Sequence, residues 1–255
     1  MMPLPRGRDG LPRGVTLEKP GRNLDSLTQT ESLKMLKATL IHEWNLRDKF
    51  EPVVQFGIRP TTLALFYGPP GNGKTMSAKL LASEIDAPLY RVSCEGLLAS
   101  HLGESEKNMG QVMDFLATAG QCVVLFDECE ALFRSRSQSG GECSKAIANT
   151  MQVFWQAVDR WESPQMFLLA TNLREELDDA LLSRCEIQIE FVGPSREQAQ
   201  MVLAYWREVL HEYGADQWGP KLETVMKKRQ PVSFRQLWQQ IQYEVRQHII
   251  GVAKK

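Results

Sequence analysis

Gly68-Pro69-Pro70-Gly71-Asn72-Gly73-Lys74-Thr75 is a complete G-x-x-x-x-G-K-[ST] run. The apolar segment Thr62-Leu63-Ala64-Leu65-Phe66-Tyr67 leads directly into it. A helical pattern follows, with Met76, Ala78, Leu80, Leu81 and Ile85 set among Ser77, Lys79, Ser83 and Glu84. A strand, a glycine-rich loop and a helix in this order turn backbone N–H groups toward phosphate oxygens, and the positive end of the helix dipole adds to the attraction. The expected ligand is a nucleoside triphosphate. Gly68, Pro69, Pro70, Gly71, Asn72, Gly73 and Met76 are expected to line it, Lys74 to reach the β- and γ-phosphates, and the Thr75 hydroxyl to ligate Mg²⁺.

Outward from the loop, short apolar runs alternate with helical patterns. Strands are predicted over Leu63–Tyr67, Pro88–Val92, Cys122–Phe126, Met166–Ala170 and Ile187–Phe191. Strands spaced by helices argue for an α/β fold, a five-stranded parallel sheet with helices on both faces. Upstream, an amphipathic helix carries Leu33, Met35, Leu36, Leu40, Ile41 and Trp44 as its apolar stripe. Past Val192-Gly193-Pro194 the pattern turns wholly helical, over 196 to about 213, 222–228 and 234–250, which reads as a small helical lid domain. The expected organisation is therefore a flexible basic tail over 1–22, an α/β domain over 23–192 and a lid over 193–255.

About 50 residues after Lys74, the run Val123-Val124-Leu125-Phe126 ends in Asp127-Glu128. A buried strand that delivers two acids to its C-terminal edge puts them where α/β sheets hold ligands. With the phosphate loop on a neighbouring strand, Asp127 is expected to hold Mg²⁺ through water and Glu128 to act as general base on the attacking water. The run Met166–Ala170 ends in Thr171-Asn172, and the Asn172 amide is placed to meet a γ-phosphate or a water; a turn cap is its other reading. Leu177-Asp178-Asp179-Ala180-Leu181-Leu182-Ser183-Arg184 is a short helix ending in a cation.

Composition sets limits. With 43% hydrophobic residues, 24% charged residues and a net charge of −1, the chain has material for a core and no general affinity for polyanions. Arg6, Arg8, Arg13, Lys19 and Arg22 outnumber Asp9 and Glu18 in the first 22 residues, a local excess that suits a disordered tail or a nucleic-acid arm. Five cysteines without a C-x-x-C pair, together with no signal peptide and no apolar run of transmembrane length, point to a reducing cytoplasm. His42, His101, His211 and His248 have no metal-ligand spacing, which argues against zinc.

The order of these motifs resembles the AAA clade of the AAA+ ATPases, from about Asn23 to the C-terminus. The resemblance implies a P-loop NTPase core with a helical lid, ATP and Mg²⁺ as cofactors, ATP hydrolysis, and a homo-oligomeric ring, usually a hexamer. Asp127-Glu128 matches the family's acidic pair and Ala170-Thr171-Asn172 its polar sensor. Arg184 matches the arginine finger, which acts on ATP held by the adjacent subunit. Asp159 of Asp159-Arg160-Trp161 aligns with an inter-subunit signalling motif. In Ser233-Phe234-Arg235-Gln236-Leu237, Arg235 resembles a second sensor that contacts the γ-phosphate. His101-Leu102-Gly103, before Glu104-Ser105, stands where family members carry an aromatic pore loop that grips polypeptide, with His101 in the aromatic's place. Arg134–Glu142 stands at the second pore loop. A fainter likeness, in Asp127-Glu128-Cys129-Glu130 and from Arg184 to Ser195, is to the remodellers of HORMA-domain proteins.

The function expected from this resemblance is ATP-driven remodelling or unfolding of a protein threaded through a ring. With about 22 residues ahead of the ATPase core, substrate choice is expected to lie in the tail, the pore or an adaptor. Two alternatives stay open: a DNA-associated AAA+ motor or loader, and an ATP-driven assembly switch that threads nothing.

Overall fold

A computed structural model describes residues 10–19, 30–56, 58–98, 104–133, 142–159, 165–212 and 233–252. Its centre is a six-stranded sheet: β1 (Val15–Glu18), β2 (Leu63–Tyr67), β3 (Leu89–Ser93), β4 (Val123–Asp127), β5 (Met166–Thr171) and β6 (Ile187–Glu190). The order across the sheet is β1-β3-β4-β5-β2-β6. All neighbours run parallel except β1, which pairs antiparallel with β3.

Two sequence expectations change here. The sheet has a sixth strand, and β1 lies within the segment read as a flexible tail. Val-Thr-Leu-Glu carries little strand signal because only Val15 is buried while Leu17 is 58% exposed. An edge strand is held by main-chain pairing, here Val15 opposite Val92 through Glu18 opposite Leu89, and such pairing does not show in side-chain pattern. A further correction concerns neighbours. The acid-bearing β4 is not adjacent to β2, because β5 is inserted between them.

The strands read as continuous apolar runs because helices cover both faces of the sheet. One face buries Leu65, Val124, Phe126 and Phe167 against α6 (Glu104–Thr118), α7 (Glu130–Phe133) and α8 (Glu142–Asp159). The other buries Ala64, Phe66, Leu125 and Leu168 against α4 (Lys74–Glu84) and the N-terminal helical segment. That segment is α1 (Glu31–Leu36), a π-helical turn (Lys37–Ile41) and α2 (His42–Asn45), followed by α3 (Glu51–Val54). Leu33, Leu36, Leu40 and Trp44 face the sheet, but Met35 is exposed, since a residue two positions after Leu33 falls off a stripe of three- and four-residue steps. The remaining described α-helices are α5 (Cys94–Leu97), α9 (Asp179–Arg184), α10 (Arg196–Glu212) and α11 (Phe234–Val252). The last two form a small helical unit around Ala199, Leu203, Leu237 and Ile241; the helix expected over 222–228 lies outside the described residues. Among the described residues no helix is long and apolar enough to cross a membrane.

Phe154 of α8 is fully buried and meets Phe126, Phe133 and Phe167 edge-on at 5.2, 5.2 and 6.1 Å between ring centres. Phe154→Ala is expected to lower the unfolding free energy by about 3–5 kcal/mol, read from urea titrations. Cys94, Cys122, Cys129 and Cys185 are all buried free thiols. Burial pushes Cys122 and Cys185 up to about 12 and holds Cys94 and Cys129 well above 9, with the acids Asp127 and Glu130 adding to the effect on the latter two. The folded chain keeps these protons where the unfolded chain releases them, so their contribution to stability falls as pH rises from 9 toward 12. Urea midpoints measured across that range should drop, and these four thiols should react with a disulfide reagent only as the protein unfolds.

Candidate active site

The loop that leaves β2 is shaped by how closely other segments approach it. Gly68 has φ +128°, and a Cβ there would lie 2.3 Å from the Phe191 carbonyl oxygen, so no other residue fits. Gly71 has φ +83°, and a Cβ would lie 2.9 Å from Cβ of Arg235 at the start of α11. Gly73 is the N-cap of α4. Pro69, Pro70 and Met76 are exposed around the loop, Met76 at 52%, where an apolar side chain is open to a ligand.

Lys74 is buried, at 8% exposure. Its Nζ donates to the Gly68 carbonyl (2.6 Å), the Pro69 carbonyl (3.2 Å) and Asn172 Oδ1 (2.7 Å). Burial is the main cause that lowers its pKa; Asp127 and Glu130 act against that, and the Arg235 cation adds to it. A largely buried ammonium whose hydrogen-bond acceptors are neutral attracts an anion. Its tie to Asn172 follows from the strand order, because β5 brings that residue beside the loop. Thr171 Oγ1 accepts from the Leu173 N–H at 2.9 Å and closes the local turn, while the Asn172 side chain faces Lys74.

The Thr75 hydroxyl donates to Asp127 Oδ2 at 3.3 Å, which joins the two residues expected to serve a metal. Hydroxyl and carboxylate oxygens are hard donors that suit a divalent ion. Among the described residues no group of three His, Cys, Asp or Glu side chains forms a metal cage. A hydrated ion that completes its shell with phosphate and water fits such a site. Glu128, the next residue, has φ +55° and is exposed. A left-handed conformation in a residue other than glycine is costly, and such strain clusters at functional positions. The Cys129 N–H donates to the Ala170 carbonyl at 2.9 Å, which binds the acidic turn to the tip of β5.

Two features were not anticipated. Asn72 is buried, and its side chain is turned to the lid: Nδ2 donates to the Phe191 carbonyl (3.4 Å) and Oδ1 accepts from the Phe234 N–H (3.3 Å). The Arg235 N–H donates to the Gly71 carbonyl at 3.0 Å, so the start of α11 is seated on the phosphate loop. The other feature is Arg91 of β3, whose Nε and Nη2 lie 2.9 and 2.7 Å from Asp127 Oδ2. Nothing in the spacing of the sequence singles out a lone arginine within a strand.

Arg184 is not part of this cluster. It is exposed at the end of α9, with its guanidinium 4.6 Å from the Trp155 ring centre. Asp159 ends α8. His101, Leu102 and Gly103 lie outside the described residues, as does 134–141 of the second expected pore loop; Glu142 opens α8.

Residues 64–192, just over half of the chain, match the family model described as "ATPase family associated with various cellular activities (AAA)". That stretch contains the loop, the acidic pair, Asn172 and Arg184. The chain belongs to the AAA ATPase family. This assigns it to enzymes that bind and hydrolyse ATP. An uncharacterised AAA family ATPase of Sinorhizobium fredii is 31% identical over 177 residues, 69% of this chain and 52% of its own length. The 26S proteasome regulatory subunit S10B homolog B of Arabidopsis thaliana is 27% identical over 168 residues, 64% of this chain and 42% of its own length. The Arabidopsis protein SUPPRESSOR OF K(+) TRANSPORT GROWTH DEFECT 1 is 30% identical over 195 residues, 76% and 44% of the two lengths. The chain thus spans about half the length, or less, of these relatives.

Within this AAA domain, Asn72 links loop, sheet and lid. Asn72→Ala is expected to lower stability by about 1–3 kcal/mol. It should also speed amide hydrogen exchange over 233–252 relative to the sheet, as read by mass spectrometry.

Proposed function

We propose that this chain is a Mg²⁺- and ATP-dependent motor that remodels protein substrates as a homo-oligomeric ring, with a hexamer as the expected stoichiometry. The observation that carries the proposal is the division of the expected machinery. Lys74, Asn172, Thr75 and Asp127 converge at one edge of the sheet, whereas Arg184 points to solvent from α9 and rests on Trp155. A finger with no part in its own subunit's cluster is suited to a neighbour's.

In this reading Thr75 and Asp127 hold the metal, whose contribution is to neutralise charge on the phosphates. Glu128 takes the proton from the attacking water, Asn172 exchanges its bond to Lys74 for one to the γ-phosphate, and Arg235 adds a cation from the lid. The loop's main-chain bond to Arg235 and the Asn72 bridge carry a change at the phosphates to α11. His101, Leu102 and Gly103 grip the substrate, and Asp159 relays the state of one subunit to the next. A protein substrate is favoured by kinship with the proteasome regulatory subunits; a HORMA-type substrate rests on the sequence likeness alone. Four unpaired buried thiols support a cytoplasmic setting.

Light scattering of Glu128→Gln with and without Mg·ATP tests the ring. A shift from monomer toward about six subunits is expected, and Arg184→Ala should cut ATP turnover by about 10³-fold or more while leaving nucleotide binding intact. A species that stays monomeric, or an Arg184→Ala enzyme of unchanged turnover, would sink the trans-acting finger.

A further inference from the structure

Asp127 Oδ2, the oxygen that also accepts from Thr75, accepts the Arg91 Nε–H at 2.9 Å and lies 2.7 Å from Arg91 Nη2 in an ion pair. The carboxylate is largely buried, with 14% of its side chain exposed. Arg91 has a second acid in reach. Its Nη1 is 3.9 Å from Oε1 of Glu18 on β1, and the other oxygen of Glu18 pairs with Lys79 Nζ of α4 at 2.8 Å. Lys79, Glu18, Arg91 and Asp127 therefore form one chain of alternating charge. It runs from the helix behind the phosphate loop, over the edge strand, to the carboxylate expected beside the metal. Two positive and two negative groups balance, and a divalent cation entering between Thr75 and Asp127 breaks that balance. A guanidinium and a metal compete for the same oxygen, and each repels the other.

We propose that Arg91 is a positioning residue that occupies Oδ2 of Asp127, the oxygen shared with Thr75, until Mg·ATP binds, and then withdraws to Glu18. Glu18 is the second seat, which makes β1 the element that responds to the metal. The arginine thereby sets how much Mg²⁺ the site requires, and it keeps the carboxylate charge-paired in the absence of nucleotide. The proposal rests on the nucleotide and metal reading of the site.

The test measures binding rather than turnover. The affinity for a fluorescent ATP analogue is recorded in EDTA and then across a Mg²⁺ titration, for wild type, Arg91→Gln, Glu18→Gln and the double variant, with melting curves for each. Arg91→Gln is expected to lower the Mg²⁺ concentration at half-effect by about tenfold, because a competing cation is gone. Glu18→Gln should raise that concentration, because the arginine has lost its alternative seat. The double variant should follow Arg91→Gln, as two residues acting through one contact are not additive. An unchanged Mg²⁺ requirement in Arg91→Gln overturns the proposal. So does weaker binding of the analogue in EDTA, which would make Arg91 a phosphate ligand. If Arg91→Gln does not fold, Glu18→Gln decides alone: a raised requirement supports the proposal and an unchanged one overturns it. Wild-type protein that binds no analogue under either condition would defeat the nucleotide site itself, and this proposal with it.

Discussion

A buried ammonium cannot remain in a protein interior without acceptors, and the burial of Lys74 organises what surrounds it. Two of its acceptors are carbonyls of its own loop, Gly68 and Pro69, and they hold the loop in a tight arc. The third is Asn172, at the tip of β5. That contact requires β5 to lie beside β2, and the sheet order satisfies it by inserting β5 between the loop strand and the acid strand. Asp127 then stands one strand further away, where its carboxylate meets the Thr75 hydroxyl from the first turn of α4 rather than the lysine. The separation matters chemically. A direct Lys74–Asp127 pair would neutralise both groups that a nucleotide and its metal require.

The same loop also anchors the lid. Gly71 and Asn72 each accept a main-chain N–H from the start of α11, and Asn72 reaches back to the Phe191 carbonyl at the end of β6. The absence of a side chain at Gly68 lets Phe191 approach, and its absence at Gly71 lets Arg235 approach. Loop, sheet and lid therefore share a few polar contacts, whereas the described lid helices have only a small apolar core of their own. In the proposed function, these contacts carry a change in phosphate occupancy from the loop to the start of α11.

Beneath the acidic turn the chemistry is quiet. Cys94, Cys129 and Cys185 fill space as small apolar groups, and burial keeps them protonated. Strain is concentrated one residue away, at Glu128, held in the left-handed region between a strand whose end is tied to β5 and the start of α7.

The sequence by itself determined the phosphate loop, five of the six strands to within a residue or two at each end, the acidic pair and the polar tip of β5. Each of these is local: a glycine spacing, an apolar run long enough to be buried on both faces, or a polar residue where such a run stops. Met35 shows that hydrophobicity must be read with spacing, since its two-residue step from Leu33 puts it off the buried stripe. Only the tertiary structure decided which strands are neighbours, that Val15–Glu18 closes the sheet edge, that Asn72 serves the lid, and that Arg91 holds Asp127. These depend on contacts between residues far apart in the chain, 36 positions for Arg91 with Asp127 and 162 for Asn72 with Phe234, and no local pattern encodes which distant carboxylate or carbonyl will stand opposite a given side chain.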